Sequence, residues 1–75
     1  MTLAELSLGQ HAAIESVAES PTLHKLLDMG CLPGEQVKLK FKAPFGDPIC
    51  VEVGGYDLMI RISEARTITV KSLTH

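Results

Sequence analysis

A chain of 75 residues is long enough for one small domain and leaves no room for a second. Hydrophobic residues supply 45% of it, yet two Phe, one Tyr and no Trp mean that the core must be packed from Leu, Ile and Val. The formal net charge of −2 argues against a nucleic-acid binder, which needs a basic stripe to neutralise phosphates.

No apolar stretch approaches the roughly 18 residues of a membrane span, and the N-terminus lacks the apolar run of a signal peptide. The expectation is a cytoplasmic protein with no direct membrane insertion. Cys31 and Cys50 match no metal or redox spacing, so in a reducing compartment they read as free thiols behaving as small hydrophobes.

Leu3, Leu6 and Leu8 open the chain, and Ser7-Leu8-Gly9-Gln10 reads as a turn. Residues 11–18 then alternate weakly, with Ala12, Ile14 and Ser16 on one side and Ala13, Glu15 and Val17 on the other, which describes a first strand. Ser20-Pro21-Thr22 is a helix start, serine as cap and proline at the first position. Leu23, Leu26 and Leu27 follow at i, i+3 and i+4, and Gly30 closes the helix. So short a helix is unstable in water, so the leucine stripe must dock on the rest of the fold. At its edge Met29, Cys31 and Leu32 either cover an open end of the core or form a patch for a partner.

Pro33-Gly34 leads into the clearest strand signal in the chain, Val37, Leu39 and Phe41 alternating with Lys38, Lys40 and Lys42. The lysines read as a solvated strand face. Ala43-Pro44-Phe45-Gly46-Asp47-Pro48 then leaves the strand as a loop of defined shape, because two prolines and a glycine cannot continue a ladder. Within it Asp47 is expected to fold back onto loop amides. Phe45 has two readings, a plug tucked under the loop or an exposed aromatic anchor of the kind enriched in interface hot spots.

Ile49, Val51 and Val53 precede Gly54-Gly55, and Tyr56, Leu58 and Ile60 follow it. Two glycines can both take positive φ, which predicts a tight hairpin. Pairing Val53 with Tyr56, Val51 with Leu58 and Ile49 with Ile60 places all six apolar side chains on one face, and a slip by one residue would bury the charges instead. Ser63-Glu64-Ala65-Arg66 predicts one helical turn, and residues 67–71 a β-branched last strand that Leu73, Thr74 and His75 fray or extend. The result is a mostly β chain. It fits a small five-stranded SH3-like barrel, with one short α-helix inserted after the first strand, better than an open sheet.

No chemistry-bearing set emerges. There is no Gly-rich phosphate loop, no HExxH and no CxxC, and Cys50 has no histidine placed beside it. His11, His24 and His75 come from three different elements. The expectation is no enzyme, no catalytic residue, no cofactor and no metal ligand.

Leu26-Leu27-Asp28-Met29-Gly30 running into Leu32-Pro33-Gly34, then residues 43–49, Leu58-Met59-Ile60-Arg61, Glu64-Ala65 and Ile68-Thr69-Val70 together resemble the FeoA family. The resemblance runs from Leu6 to Val70, and its most specific piece is the Ala-Pro-Phe-Gly-Asp-Pro loop. It implies an SH3-like domain over residues 1–75 that assists bacterial ferrous iron uptake by contacting the membrane permease FeoB, through the permease's cytosolic GTP-binding portion. Lys25, Met29, Cys31, Leu32 and Phe45 are the expected contact residues, while Pro33, Gly34, Pro44, Gly46, Asp47, Pro48, Gly54 and Gly55 shape the turns. A weak homo-oligomer is left open. The same barrel resembles the C-terminal domain of iron-dependent DtxR-type repressors. That sets up an alternative, a metal-sensing domain using His11, His24, Glu15 or Cys31.

Overall fold

The computed structural model describes residues 1–73, so the reading of Thr74 and His75 lies outside the described residues. A short 3-10 turn, Leu3–Glu5, precedes β1 (His11–Val17) and α1 (Leu23–Asp28). Then come β2 (Gln36–Lys42), β3 (Ile49–Val53), β4 (Tyr56–Ile60), α2 (Ile62–Ala65) and β5 (Ile68–Ser72). The five strands form one antiparallel sheet in the order β4-β3-β2-β1-β5.

The expected closed barrel is corrected here, because β4 and β5 are the two edges and no ladder joins them. Helices and the N-terminal segment close the core instead. Leu3 and Leu6 from the N-terminal segment, Leu26 from α1 and Ala65 from α2 are fully buried beside Ile14, Val37, Leu39, Val51, Ile60 and Ile68 of the strands. The N-terminal turn was not legible as an element. Its Leu3 and Leu6 pack inward while the Val70 amide donates to the Met1 carbonyl and Thr2 bridges Thr69, so the segment covers part of the β5 edge.

The β3–β4 hairpin has the register that its alternation requires, Val53 opposite Tyr56, Val51 opposite Leu58 and Ile49 opposite Ile60. Gly54 and Gly55 both lie at positive φ, 56° and 89°, which lets a two-residue turn match the right-handed twist of the strands.

Two bulges redirect side chains that plain alternation misplaces. In β2 the register shifts between Leu39 and Phe41, so Phe41 lies opposite Cys50 rather than continuing the inward row. Phe41 is half exposed on the outer face, where Cys50 is nearly buried between it and Met59. In β1 the register shifts between Ile14 and Ser16, and the effect is opposite: Ser16 is exposed and Val17 turns to pack on the core. An extra residue in one strand inverts every later side chain, and no local pattern announces it.

α1 begins two residues later than Ser20 suggests, and α2 one residue earlier than Ser63 suggests. α1 starts at Leu23 with Thr22 as its cap, and the Ser20 side chain meets the Thr22 hydroxyl at 3.3 Å instead of a helix amide. Of the leucine stripe only Leu26 is fully buried, since six residues present a single row to the core; Leu23 and Leu27 are half-buried. α2 starts at Ile62, and Glu64 rather than Ser63 satisfies its first turn, accepting from the Arg61 amide at 3.0 Å.

Candidate functional site

The loop at residues 43–48 is stitched at three points. The Ala43 amide donates to the Pro48 carbonyl at 3.0 Å and the Gly46 amide to the Ala43 carbonyl at 2.7 Å. The third point corrects the reading of Asp47: its Oδ1 accepts from the Ile62 amide at 3.0 Å, so it tethers the loop to the first residue of α2 instead of to the loop's own amides. A helix start has amides without intrahelical partners, and a carboxylate there is doubly favoured. Pro44 and the cis-linked Pro48 complete the hook, and at its tip Phe45 is 99% exposed. It is not a plug. A rigid loop that holds a whole aromatic ring in water offers contact area with little ordering left to lose.

At the opposite end of β2, Leu32 is exposed and Met29 is half-buried against the core. With Val53 and Tyr56 they line a groove of about 250 Å³, rimmed by Asp28 and Glu35. The Leu32-Pro33-Gly34 turn is sewn to β1, the Gly34 amide donating to the Ile14 carbonyl and the Ile14 amide to the Glu35 carbonyl. Gly34 sits at φ +95° with open space where a Cβ would stand. Gly34→Ala should therefore cost about 1–2 kcal/mol of backbone strain, read as a lower urea midpoint. A midpoint equal to the parent's would show the turn to be indifferent to that conformation.

One expected contact residue is corrected: Cys31 is fully buried in the core, because the chain folds inward directly after α1. The Lys25 ammonium lies 2.7 Å from Glu64 Oε2, and its side chain stays more than half exposed. The structure also separates what the sequence grouped. Seven residues of β2 stand between the groove and the hook, a span of about 20 Å, so Met29 and Leu32 do not share a surface with Phe45. Tyr56, 76% exposed on the groove, was missed: its alternation is inward, but it lies at the end of an edge strand beyond the core.

Neither thiol is poised to react. Burial pushes the Cys31 thiol up, with the Glu64 carboxylate adding to the shift, and burial followed by Asp57 does the same to Cys50. Glu15 and His11 are exposed on β1 and His24 on α1, while Cys31 is sealed in the core. Among the described residues no group of three or more His, Cys, Asp or Glu is placed to hold a metal ion. No helix among them is long and apolar enough to cross a membrane.

The FeoA domain model matches residues 1–72. Among solved structures, the FeoA protein of Chlorobium tepidum is 41% identical with a TM-score of 0.90, over 99% of this chain and 71% of that one. The FeoA of Stenotrophomonas maltophilia is described as a prokaryotic SH3 domain protein complexed with zinc and proposed to activate ferrous iron transport. It is 38% identical with a TM-score of 0.82, over 95% of this chain and 89% of that one. A manganese-dependent transcriptional repressor shares the fold alone, at 17% identity and a TM-score of 0.89 over 97% of this chain and 36% of that one. No curated protein sequence matches. A five-stranded SH3-like sheet matched over residues 1–72 by the FeoA domain settles the family: the chain belongs to the FeoA family of ferrous iron transport proteins.

Proposed function

We propose that this protein is a cytoplasmic, non-enzymatic accessory factor of ferrous iron uptake that works by binding the cytosolic GTP-binding portion of the membrane permease FeoB. The observation that carries this reading is Phe45, 99% exposed at the tip of a loop pinned by two backbone hydrogen bonds and by Asp47. An apolar ring costs solubility in that position, and docking recovers it. The Met29–Leu32–Tyr56 groove is a second, separate contact, smaller and half recessed.

Calorimetric titration of FeoB's cytosolic domain tests the reading, with GDP and with a GTP analogue. Phe45→Ala should weaken binding by about 2 kcal/mol, roughly thirtyfold, with an unchanged urea midpoint because the ring touches no core residue. Equal affinities for parent and variant would remove Phe45 from the contact. No binding by the parent under either nucleotide would remove the partner.

A further inference from the structure

The two edges of the sheet are unlike. The N-terminal segment covers part of β5, whereas among the described residues β4 pairs only with β3. The Gly54 amide donates to Gln36 across the β2 side, so even-numbered residues of β3 point to β2 and odd-numbered ones to β4. Across the hairpin, Tyr56, Leu58 and Ile60 therefore spend their backbone groups on β3, and Asp57 and Met59 aim theirs outward. Arg61 closes this edge on one side, its carbonyl taken by the Glu64 and Ala65 amides and its amide by the Glu64 carboxylate. The Gly54-Gly55 turn closes the other. What remains is four backbone groups on two residues. Of the usual edge protections β4 lacks Pro, Lys and a bulge, and keeps only its shortness and one charge, Asp57.

We propose that this edge pairs with the β4 edge of a second copy of the chain, antiparallel and two-fold symmetric about Leu58. That register sets Asp57 opposite the second copy's Met59 and Met59 opposite its Asp57, which satisfies the four open groups of each copy with four hydrogen bonds in all. Leu58 meets Leu58 on the core side, and Tyr56 stands opposite Ile60, whose side chain is already fully buried. The neighbouring registers fail. One sets Asp57 against Asp57, and the other sets Asp57 against Arg61, whose backbone groups are already spent. The Asp57 carboxylate introduces no unpaired charge, because Lys40 Nζ lies 3.2 Å from it. An interface of one short strand per copy is small, so association belongs in the micromolar to millimolar range.

Sedimentation across that range, with two variants, tests the pairing. The parent should convert from monomer to dimer with concentration. Met59→Pro removes an outward amide that no group of this chain uses among the described residues, and an edge strand tolerates proline there. It should stay monomeric while retaining its circular dichroism. Leu58→Cys should form an interchain disulfide on oxidation, since facing residues in such a pair lie about 4.5 Å apart at Cα. Asp57→Cys should not. The buried Cys31 and Cys50 do not compete. A parent that stays monomeric at millimolar concentration, a folded Met59→Pro variant that still dimerises, or a Leu58→Cys variant that never cross-links would each overturn the proposal. If Met59→Pro fails to fold, cross-linking of Leu58→Cys decides between the two outcomes by itself.

Discussion

Leu26→Ala should lower the unfolding free energy by about 3 kcal/mol, more than half of the roughly 5 kcal/mol expected for a domain this small. Leu26 is the one residue of α1 that is fully buried, and it lies in the same core cluster as Leu3, Leu6 and Ala65. Among the described residues no ladder joins β4 and β5, and these four side chains, from outside the strands, complete the core. Truncating Leu26 leaves a cavity in that core and releases a helix of six residues that cannot persist alone. Leu27→Ala, at the half-buried position beside it, should cost about 1 kcal/mol. Urea unfolding of both variants checks the pair. Equal losses would mean that α1 docks through a broader face than its burial indicates.

Glu64→Ala should cost about 2–3 kcal/mol at neutral pH, because one nearly buried carboxylate holds two partners, a side chain of α1 and a backbone amide. Its Oε2 accepts from Lys25 of α1 at 2.7 Å and its Oε1 from the Arg61 amide at 3.0 Å, while its carbonyl accepts from the Thr67 hydroxyl at 2.7 Å. The last of these survives the substitution and the first two do not. Lys25 is more than half exposed, so its ammonium regains water when the pair is broken, which keeps the loss below that of a fully buried ion pair.

The Lys25 ammonium first, and then the Arg61 amide, hold the Glu64 carboxyl below its ordinary value of 4.5. A carboxylate more acidic in the folded chain adds stability that is fully present above 4.5 and is lost as pH falls through the lowered value. Glu5 is also held low, chiefly by the Thr2 amide, so the parent will lose stability in acid for more than one reason. Glu64→Gln isolates the buried group, since it keeps the size and an acceptor for Arg61 but cannot titrate. The gap in urea midpoint between parent and Glu64→Gln should narrow below pH 4.5. A gap that is constant from neutral to acid pH would contradict the assignment.

Much of the fold was legible because its determinants are local. Gly54-Gly55 with apolar alternation on both sides specifies a hairpin and its register without reference to any other segment. The hook was legible for the same reason, since two prolines and a glycine in six residues limit the backbone whatever surrounds it. The contact surface was less so. Met29, Cys31 and Leu32 are neighbours in sequence, yet one is half-buried, one sealed and one exposed, and that sorting is made by the strands beneath them.

The amino-acid order alone determined the strand count, the tight turn, the aliphatic core and the exposed-or-plugged choice posed by Phe45. Tertiary structure decided the rest. It placed bulges in β1 and β2 that send Phe41 outward and Val17 inward, left two edges where a closed barrel was expected, and tethered Asp47 to α2. It joined Lys25 to a carboxylate 39 positions away and set the groove and the hook at opposite ends of one strand. The physical reason is range: turn chemistry and side-chain period act over a few residues, whereas a bulge or an ion pair depends on which distant strand or helix is laid alongside.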